Sequence, residues 1–343
     1  MQSLNLEKAR EKLLSCSRPL FLFDDDADGL AAFLLLYRFV RSGKGMPLKG
    51  KALDEFFVQK VNTYQPDLIV ILDKPVVDES FFKGVHAPIL WLDHHKPQHP
   101  PSSVLYINPR KEDPEQNLPT SFLAYLIVLQ DEWVATTGVV SDWEVVPDQL
   151  KDALEESYPD FLPRSISSPQ TALYDSPAGQ MARIFSFALK GRMSTVLTHM
   201  KILTRIKNPQ ELFKQEHAQA RLLMKTVLKC QEEYDALKNQ IAPVKDDPLL
   251  SFSYDASSTS YTTDLSNELL FLYPEKFIVI ARLSGPSYKC SLRSTKHRVD
   301  EILDQALVQV NGTGGGHEHA CGAVIREEDF STFLDILRAK IQE

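Results

Sequence analysis

The chain has 343 residues, more than a single hydrophobic core usually serves, with 43% hydrophobic and 24% charged residues, which excludes a disordered or fibrous chain and makes two domains the natural expectation. Its net charge of −8 argues at first against a nucleic-acid partner, yet residues 181–245 hold 12 Lys or Arg against 5 Asp or Glu, and residues 276–299 hold 6 basic residues and no acid, so basic surfaces face an acidic body. Four scattered cysteines without a CxxC pair, a polar N-terminus and no apolar run near the roughly 20 residues of a membrane span point to a reducing cytoplasm, with no disulfide framework, zinc site, signal peptide or membrane helix.

In chain order, three apolar runs each precede an aspartate: PLFLF before Asp24, DLIVIL before Asp73 and APILWL before Asp93. All three read as buried parallel strands. Between the first two lie a helical segment from Leu30 to Val40, the turn SGKG, and a helix-like stretch from Lys51 to Val61. This βαβ alternation predicts an α/β first domain with a mostly parallel sheet, whose ligands would sit beyond the carboxyl ends of the strands. A single Asp after a strand is an ordinary turn residue or helix N-cap, but three at parallel strand ends point to a site. Asp142 follows another apolar run that periodicity leaves open between strand and helix.

Residues 141–180 read as a loop-rich edge, and 181–242 as long helices with basic faces broken at Asn208-Pro209. A second α/β unit begins near Pro248: strand-like FSYDA, helix-like TTDLSNELLFLY, strands KFIVIARL and KCSLRS, a helix over 299–309, the glycine cluster NGTGGGHEHACGAVI and a C-terminal helix. The expected domains are thus 1–180 for metal binding, 181–245 as a helical connector and 246–343 for substrate.

The chemistry concentrates in DDDADG and WLDHHKP. Asp24, Asp26 and Asp28 would share one face of an extended segment, with Asp25 turned away and Gly29 easing a sharp turn into the helix. Carboxylate with imidazole suits Mn²⁺, Fe²⁺ or Zn²⁺. Together with Asp73, His94 and Asp142, these groups exceed one divalent ion's needs and match the two-metal device that hydrolyses phosphate esters. Metal ions rather than protein cations would then neutralise the four crowded aspartates. The glycines, Gly314, Gly315 and Gly316 among them, either form an ordinary turn or offer backbone N–H groups to a phosphate beside His317, with Arg293 suited to bidentate phosphate contact.

In this order DDDADG, Asp73 at a strand end, the DHH of Asp93, His94 and His95, Asp142 in GVVSDW, and SLRS with GGGHEHACG resemble the DHH phosphoesterases, specifically the RecJ-like group, over residues 20–325. The resemblance implies an Mn²⁺-dependent phosphodiesterase with two ions, Mg²⁺ or Co²⁺ as substitutes, and a DHH-associated C-terminal domain. Asp26, Asp28, Asp73, His94 and Asp142 fall where the family's metal ligands fall, with Asp73 bridging. Asp24 and His95 occupy adjoining motif positions as ligands or acid/base groups, and Asp93 either joins the chemistry or orients an imidazole. Arg293, Ser294, Gly314, Gly315, Gly316 and His317 would hold a substrate phosphate or terminal nucleotide across a cleft. The chain lacks the His-x-Asn-Pro-Asp opening of the oligoribonuclease and pAp-phosphatase branch and has no room for bacterial RecJ's OB-type domain. LDKPVV and SDWEVVPD look like compact archaeal RecJ-like proteins, including the exonuclease associated with the Hef helicase. The expected activity is a single-strand-specific DNA or RNA exonuclease. The alternatives are a phosphoesterase for short oligoribonucleotides, cyclic dinucleotides or pAp, and, less favoured, an inactive replication or repair scaffold. Single-stranded nucleic acid and a helicase or replisome are the expected partners; the oligomeric state stays open.

Overall fold

Runs such as LIVIL, apolar at every position, need cover on both faces, and they obtain it as the inner strands of a parallel sheet. In the computed structural model, which describes residues 5–50, 52–255 and 259–342, the chain divides into two units, Met1–Val227 and Leu228–Glu343. The strands of the first are β1 (Pro19–Asp24), β2 (Lys44–Leu48), β3 (Ala52–Leu53), β4 (Leu68–Leu72), β5 (Val76–Val77), β6 (Ile89–Leu92) and β7 (Leu105–Ile107). Five of them form an all-parallel sheet in the order β2-β1-β4-β6-β7, and β3 pairs with β5 separately. The register sets Phe23 beside Leu72 and Leu72 beside Leu92. Asp24, Asp73 and Asp93 therefore leave three adjacent strands at one level.

Helix Ala27–Val40 is buried at every position from Ala27 to Leu36, because it packs against helices Thr120–Val128, Glu132–Ser141 and Pro177–Ala188. Its all-round apolar sequence is that of a central helix rather than an amphipathic surface one. A separate core of Leu22, Met46, Leu53, Val61, Ile71, Phe81 and Trp91 accompanies the short helices Val58–Tyr64 and Glu79–Gly84.

Several local expectations are corrected. The SGKG turn runs directly into β2, a strand hidden by its glycine and proline, and β7 is too short to announce itself. The helix-like stretch after Lys51 is β3, a 3₁₀ turn at Glu55–Phe57 and a helix only from Val58. The loop-rich edge contains helices Asp148–Ser157, Pro169–Asp175 and Pro177–Ala188. Its prolines occupy the first helical turn at Pro169 and Pro177, where a missing N–H costs nothing. The run before Asp142, which periodicity leaves open, is a helix, Glu132–Ser141.

The second unit has a sheet in the order β11-β12-β10-β9-β8, built from β8 (Leu249–Tyr254), β9 (Phe277–Ser284), β10 (Ser287–Arg293), β11 (Gly312–His317) and β12 (Ala320–Arg326). Only β8 runs parallel to its neighbour. Leu292, Cys321 and Ile325 share a core with Val299, Leu303, Phe333 and Leu337 of the two helices on that face. Helix Thr262–Leu272 packs on β9 and β10.

Candidate metal centre

The first unit gathers its ionisable residues at the carboxyl ends of β1, β4 and β6. Asp26 is the N-cap of the central helix, its Oδ1 accepting the Gly29 N–H at 2.8 Å. Asp28 lies in that helix's first turn, so the segment is not extended and the aspartates do not converge by alternation. They converge because the strand ends and the helix starts within a few residues. Gly29 lies inside the helix and serves close approach rather than a turn: a Cβ there would stand 2.6 Å from the Asp24 carbonyl oxygen.

Asp28 is 2% exposed and accepts the backbone N–H of Thr120 at 2.7 Å and of Ser121 at 3.1 Å, with the Ser121 hydroxyl as a further donor. These are unfilled N–H groups at the start of helix Thr120–Val128, which favour an anion. Asp73 follows β4 in a left-handed conformation, φ 58°. Its carboxylate accepts from Thr120 Oγ1 at 3.2 Å and faces His94 Nε2 at 3.3 Å and His95 Nδ1 at 3.8 Å.

His94 is held from its other nitrogen. Asn117 Nδ2 donates to Glu144 Oε1 at 2.6 Å, and because a carboxylate only accepts, this turns Asn117 Oδ1 toward His94 Nδ1 at 2.8 Å. Nδ1 thus carries a proton, and Nε2 is the nitrogen left to face Asp73 and a metal. Asp142, at the C-cap of helix Glu132–Ser141, places Oδ2 3.5 Å from Nδ1. Asp93 has a different task. It is fully buried and is occupied by His95 Nδ1 at 2.8 Å, Asn108 Nδ2 at 3.1 Å and the Tyr106 hydroxyl at 3.2 Å. It orients His95 from beneath.

Crowding shows in the acidities. Desolvation and Asp73 push Asp28 up to about 6, although His94 and Ser121 oppose the shift. Desolvation also raises Asp24 to about 6 against the pull of Lys74. Asp142 is raised well above the carboxylate range by desolvation. For Asp26, desolvation and the charges of Asp73, Asp24 and Asp28 act in the same sense; since Asp26 itself opens to solvent, the crowding of like charge is the cause that counts. Burial would raise Asp73 too, but His94, His95 and Thr120 overcome it and hold it low. Burial alone would lower His94, and Asp73, Asp142 and Asp28 override that effect, raising it well above its ordinary value. Asp25 is raised by desolvation and faces positive charge from Lys49, Lys74 and Lys190 instead.

Among the described residues, two groups bring ligand atoms within 4.8 Å of one another: Asp73, His94 and His95, and Asp28, His94 and Asp142. Asp24 and Asp26 fall outside both groups. Mixed carboxylate and imidazole donors suit divalent transition ions, and the raised carboxyl acidities mark a site that such an ion would relieve. The residues present fit the metals that the motifs implied.

A protein cation also enters, contrary to the expectation that metals alone neutralise DDDADG. Lys74 is fully buried, and its Nζ donates to Asp24 Oδ1 at 2.8 Å and to the Gly50 carbonyl. Lys74, Asn117, Glu144, Thr120 and Ser121 were not legible as site residues. Lys74 alone carried a signal, a charge immediately after a buried strand's aspartate.

In the second unit Arg293, Ala320 and His317 stand in register across β10, β12 and β11. The Arg293 guanidinium donates to Asn267 Oδ1 at 2.8 Å and to the Leu292 carbonyl at 2.8 Å. Ser294 is buried, its hydroxyl accepting the N–H groups of Lys296 at 3.2 Å and His297 at 3.1 Å. Gly314, Gly315 and Gly316 do not form a loop or turn but the exposed edge strand β11. Side chains are excluded at two of the three: a Cβ at Gly316 would meet the Ala320 oxygen at 2.3 Å and one at Gly314 the Gly322 oxygen at 2.8 Å, whereas Gly315 has open space around it.

Residues 258–343 match the family model of the DHHA1 domain. The whole chain is similar in fold to RecJ from Thermus thermophilus in complex with Mn²⁺, with a TM-score of 0.70 and 16% identity over 98% of this chain and 54% of that one. It is similar also to an exonuclease RecJ bound to manganese, with a TM-score of 0.67 and 17% identity over 98% of this chain and 94% of that one. A pGpG-specific phosphodiesterase from Vibrio cholerae matches with a TM-score of 0.53 and 13% identity over 95% of this chain and 99% of that one. No curated protein matches in sequence. The fold is that of the RecJ structures, with a DHHA1 domain at its C-terminal end. The chain spans about half the length of the Thermus protein.

Proposed function

We propose that the protein is a two-metal phosphodiesterase that hydrolyses nucleic-acid phosphodiester bonds, acting as a single-strand-specific exonuclease on DNA or RNA. The observation that carries this reading is the convergence of Asp28, Asp73, His94, His95 and Asp142 into two clusters that share His94, with the ligand atoms in each within 4.8 Å of one another. Asp26 and Asp24 complete the acidic rim. Bound divalent ions, Mn²⁺ first and Mg²⁺ or Co²⁺ as substitutes, would activate water and offset the charge that develops on the phosphate. The chain's own residues hold the site in shape: Asn117 fixes the His94 ring, Asp93 fixes His95, and the Thr120 and Ser121 N–H groups fix Asp28. His95, about a third exposed at its side chain, is the group placed to exchange a proton with a reacting phosphate ester. Arg293 and His317 with the open glycine strand supply phosphate contacts from residues 246–343, and the basic helices of 181–245 attract the strand. A helicase or replisome is the partner class this activity would serve.

The test is an Mn²⁺-dependent degradation assay on DNA and RNA oligonucleotides labelled at either end. A ladder from one end on single strands, with duplex spared, is expected; the absence of products on every single strand would overturn the reading. A second reading, hydrolysis of dinucleotides to pentanucleotides, is favoured by the similarity in length and fold to the pGpG-specific enzyme. It predicts turnover of those short substrates with 20-mers left intact.

A further inference from the structure

Lys74 is a lysine with no exposed surface, placed immediately after Asp73 at the end of β4. A buried ammonium persists only when paired and hydrogen-bonded. Its Nζ donates to Asp24 Oδ1 at 2.8 Å and to the Gly50 carbonyl, while the Trp91 indole donates to the Lys74 carbonyl at 3.2 Å. The residue is thereby fixed from the end of β1, from the segment between β2 and β3, and from β6. Asp24 lies outside both clusters of candidate ligand atoms among the described residues. We propose that Lys74 is a positioning residue that ties Asp24 back from the metal-ligand set, so that the centre carries one resident positive charge in addition to the ions it binds.

The candidate ligands are then the clustered Asp28, Asp73, His94, His95 and Asp142, with Asp26, which caps the central helix, outside the clusters and Asp24 set apart from it by the Lys74 pairing as an anchored counter-ion. Fixed positive charge at this corner offsets part of the attraction that the carboxylates exert on a divalent cation. The inference rests on the two-metal reading and goes beyond it in assigning Asp24 and Lys74 to each other.

Mn²⁺ binding to the full chain, followed by electron paramagnetic resonance of the free ion, tests it in the wild type, D24N, D73N, K74M and the D24N/K74M double variant. D24N is expected to keep its Mn²⁺ affinity within about threefold of wild type, whereas D73N loses more than about tenfold. K74M leaves Asp24 without its partner and is expected to tighten Mn²⁺ binding by about threefold; D24N/K74M returns it to the wild-type value. A D24N loss as large as that of D73N, or K74M with unchanged affinity, overturns the proposal. Should K74M fail to fold, the neutral pair in D24N/K74M is expected to unfold within a few degrees of wild type in metal-free buffer, and the comparison of D24N with D73N still decides. A wild type that binds no Mn²⁺ overturns the two-metal reading and this proposal with it, whereas wild-type binding with a D24N loss overturns this proposal alone.

Discussion

Asp73 and His94 face each other at 3.3 Å and stand in the ligand clusters, so each is expected to be indispensable. Asp73→Ala or His94→Ala should abolish hydrolysis while circular dichroism stays native, and retained turnover in either would remove it from the ligand set. Asn117 acts one step away. Asn117→Ala frees the His94 ring and is expected to weaken metal affinity or activity by about 10- to 100-fold, read as the Mn²⁺ concentration giving half-maximal rate. The pH dependence follows from the raised groups. Asp28 titrates near 6 in the folded protein and near 3.9 when unfolded, so between those values the folded state binds the extra proton and metal-free stability falls as pH rises. Asp26 and Asp142 are raised in the same sense, as is His94, whose stabilising proton is lost on passing its own raised value. Asp73, held low, is already ionised in that window. Metal binding uses the ionised carboxylates and the deprotonated Nε2. The increase in Tm on adding Mn²⁺ should therefore be larger at about pH 7.5 than at about pH 5.5, and equal increases would break the link.

The element that organises the centre is the central helix, Ala27–Val40. Its start carries Asp26 and Asp28, and its buried length is clamped by helices Thr120–Val128 and Glu132–Ser141. Gly138 makes that clamp possible: a Cβ there would stand 2.3 Å from Ser121 Oγ and 2.8 Å from Ala31 Cβ. Because Ser121 also donates to Asp28, Gly138→Ala is expected to destabilise the fold by about 1–3 kcal/mol and also to weaken Mn²⁺ binding, measured by denaturant melts with and without the metal. Loss of stability with metal binding intact would show that the helix shifts without disturbing Asp28. At the other end of the chain, β11 shows why glycines deceive: the sequence that reads as a turn is an edge strand in which Gly314 and Gly316 lie too close to β12 for side chains.

For the molecule as a whole, the candidate metal residues lie in the unit Met1–Val227 and Arg293 and His317 in the unit Leu228–Glu343. If the second unit holds substrate, Arg293→Ala should raise KM about tenfold with a smaller change in kcat, and saturable kinetics with an unchanged KM would remove Arg293 from that role. The sequence by itself determined the buried parallel strands, the aspartates at their ends and the DHH run, because uninterrupted apolar runs followed by charge have few physical solutions. It also carried the α/β character of the second unit in the alternation of helix and strand patterns. Only the tertiary structure decided that Asp142 comes from a helix end and that Asp93 is occupied with His95. Likewise only it showed Asn117 and Glu144 orienting His94 and a buried lysine answering the charge of DDDADG. The last two depend on contacts between residues as much as 50 positions apart, Lys74 with Asp24, which no local pattern records. The four aspartates are thereby separated: Asp28 is fixed by a helix start, Asp26 caps the central helix, Asp25 faces lysines, and Asp24 is bound to Lys74.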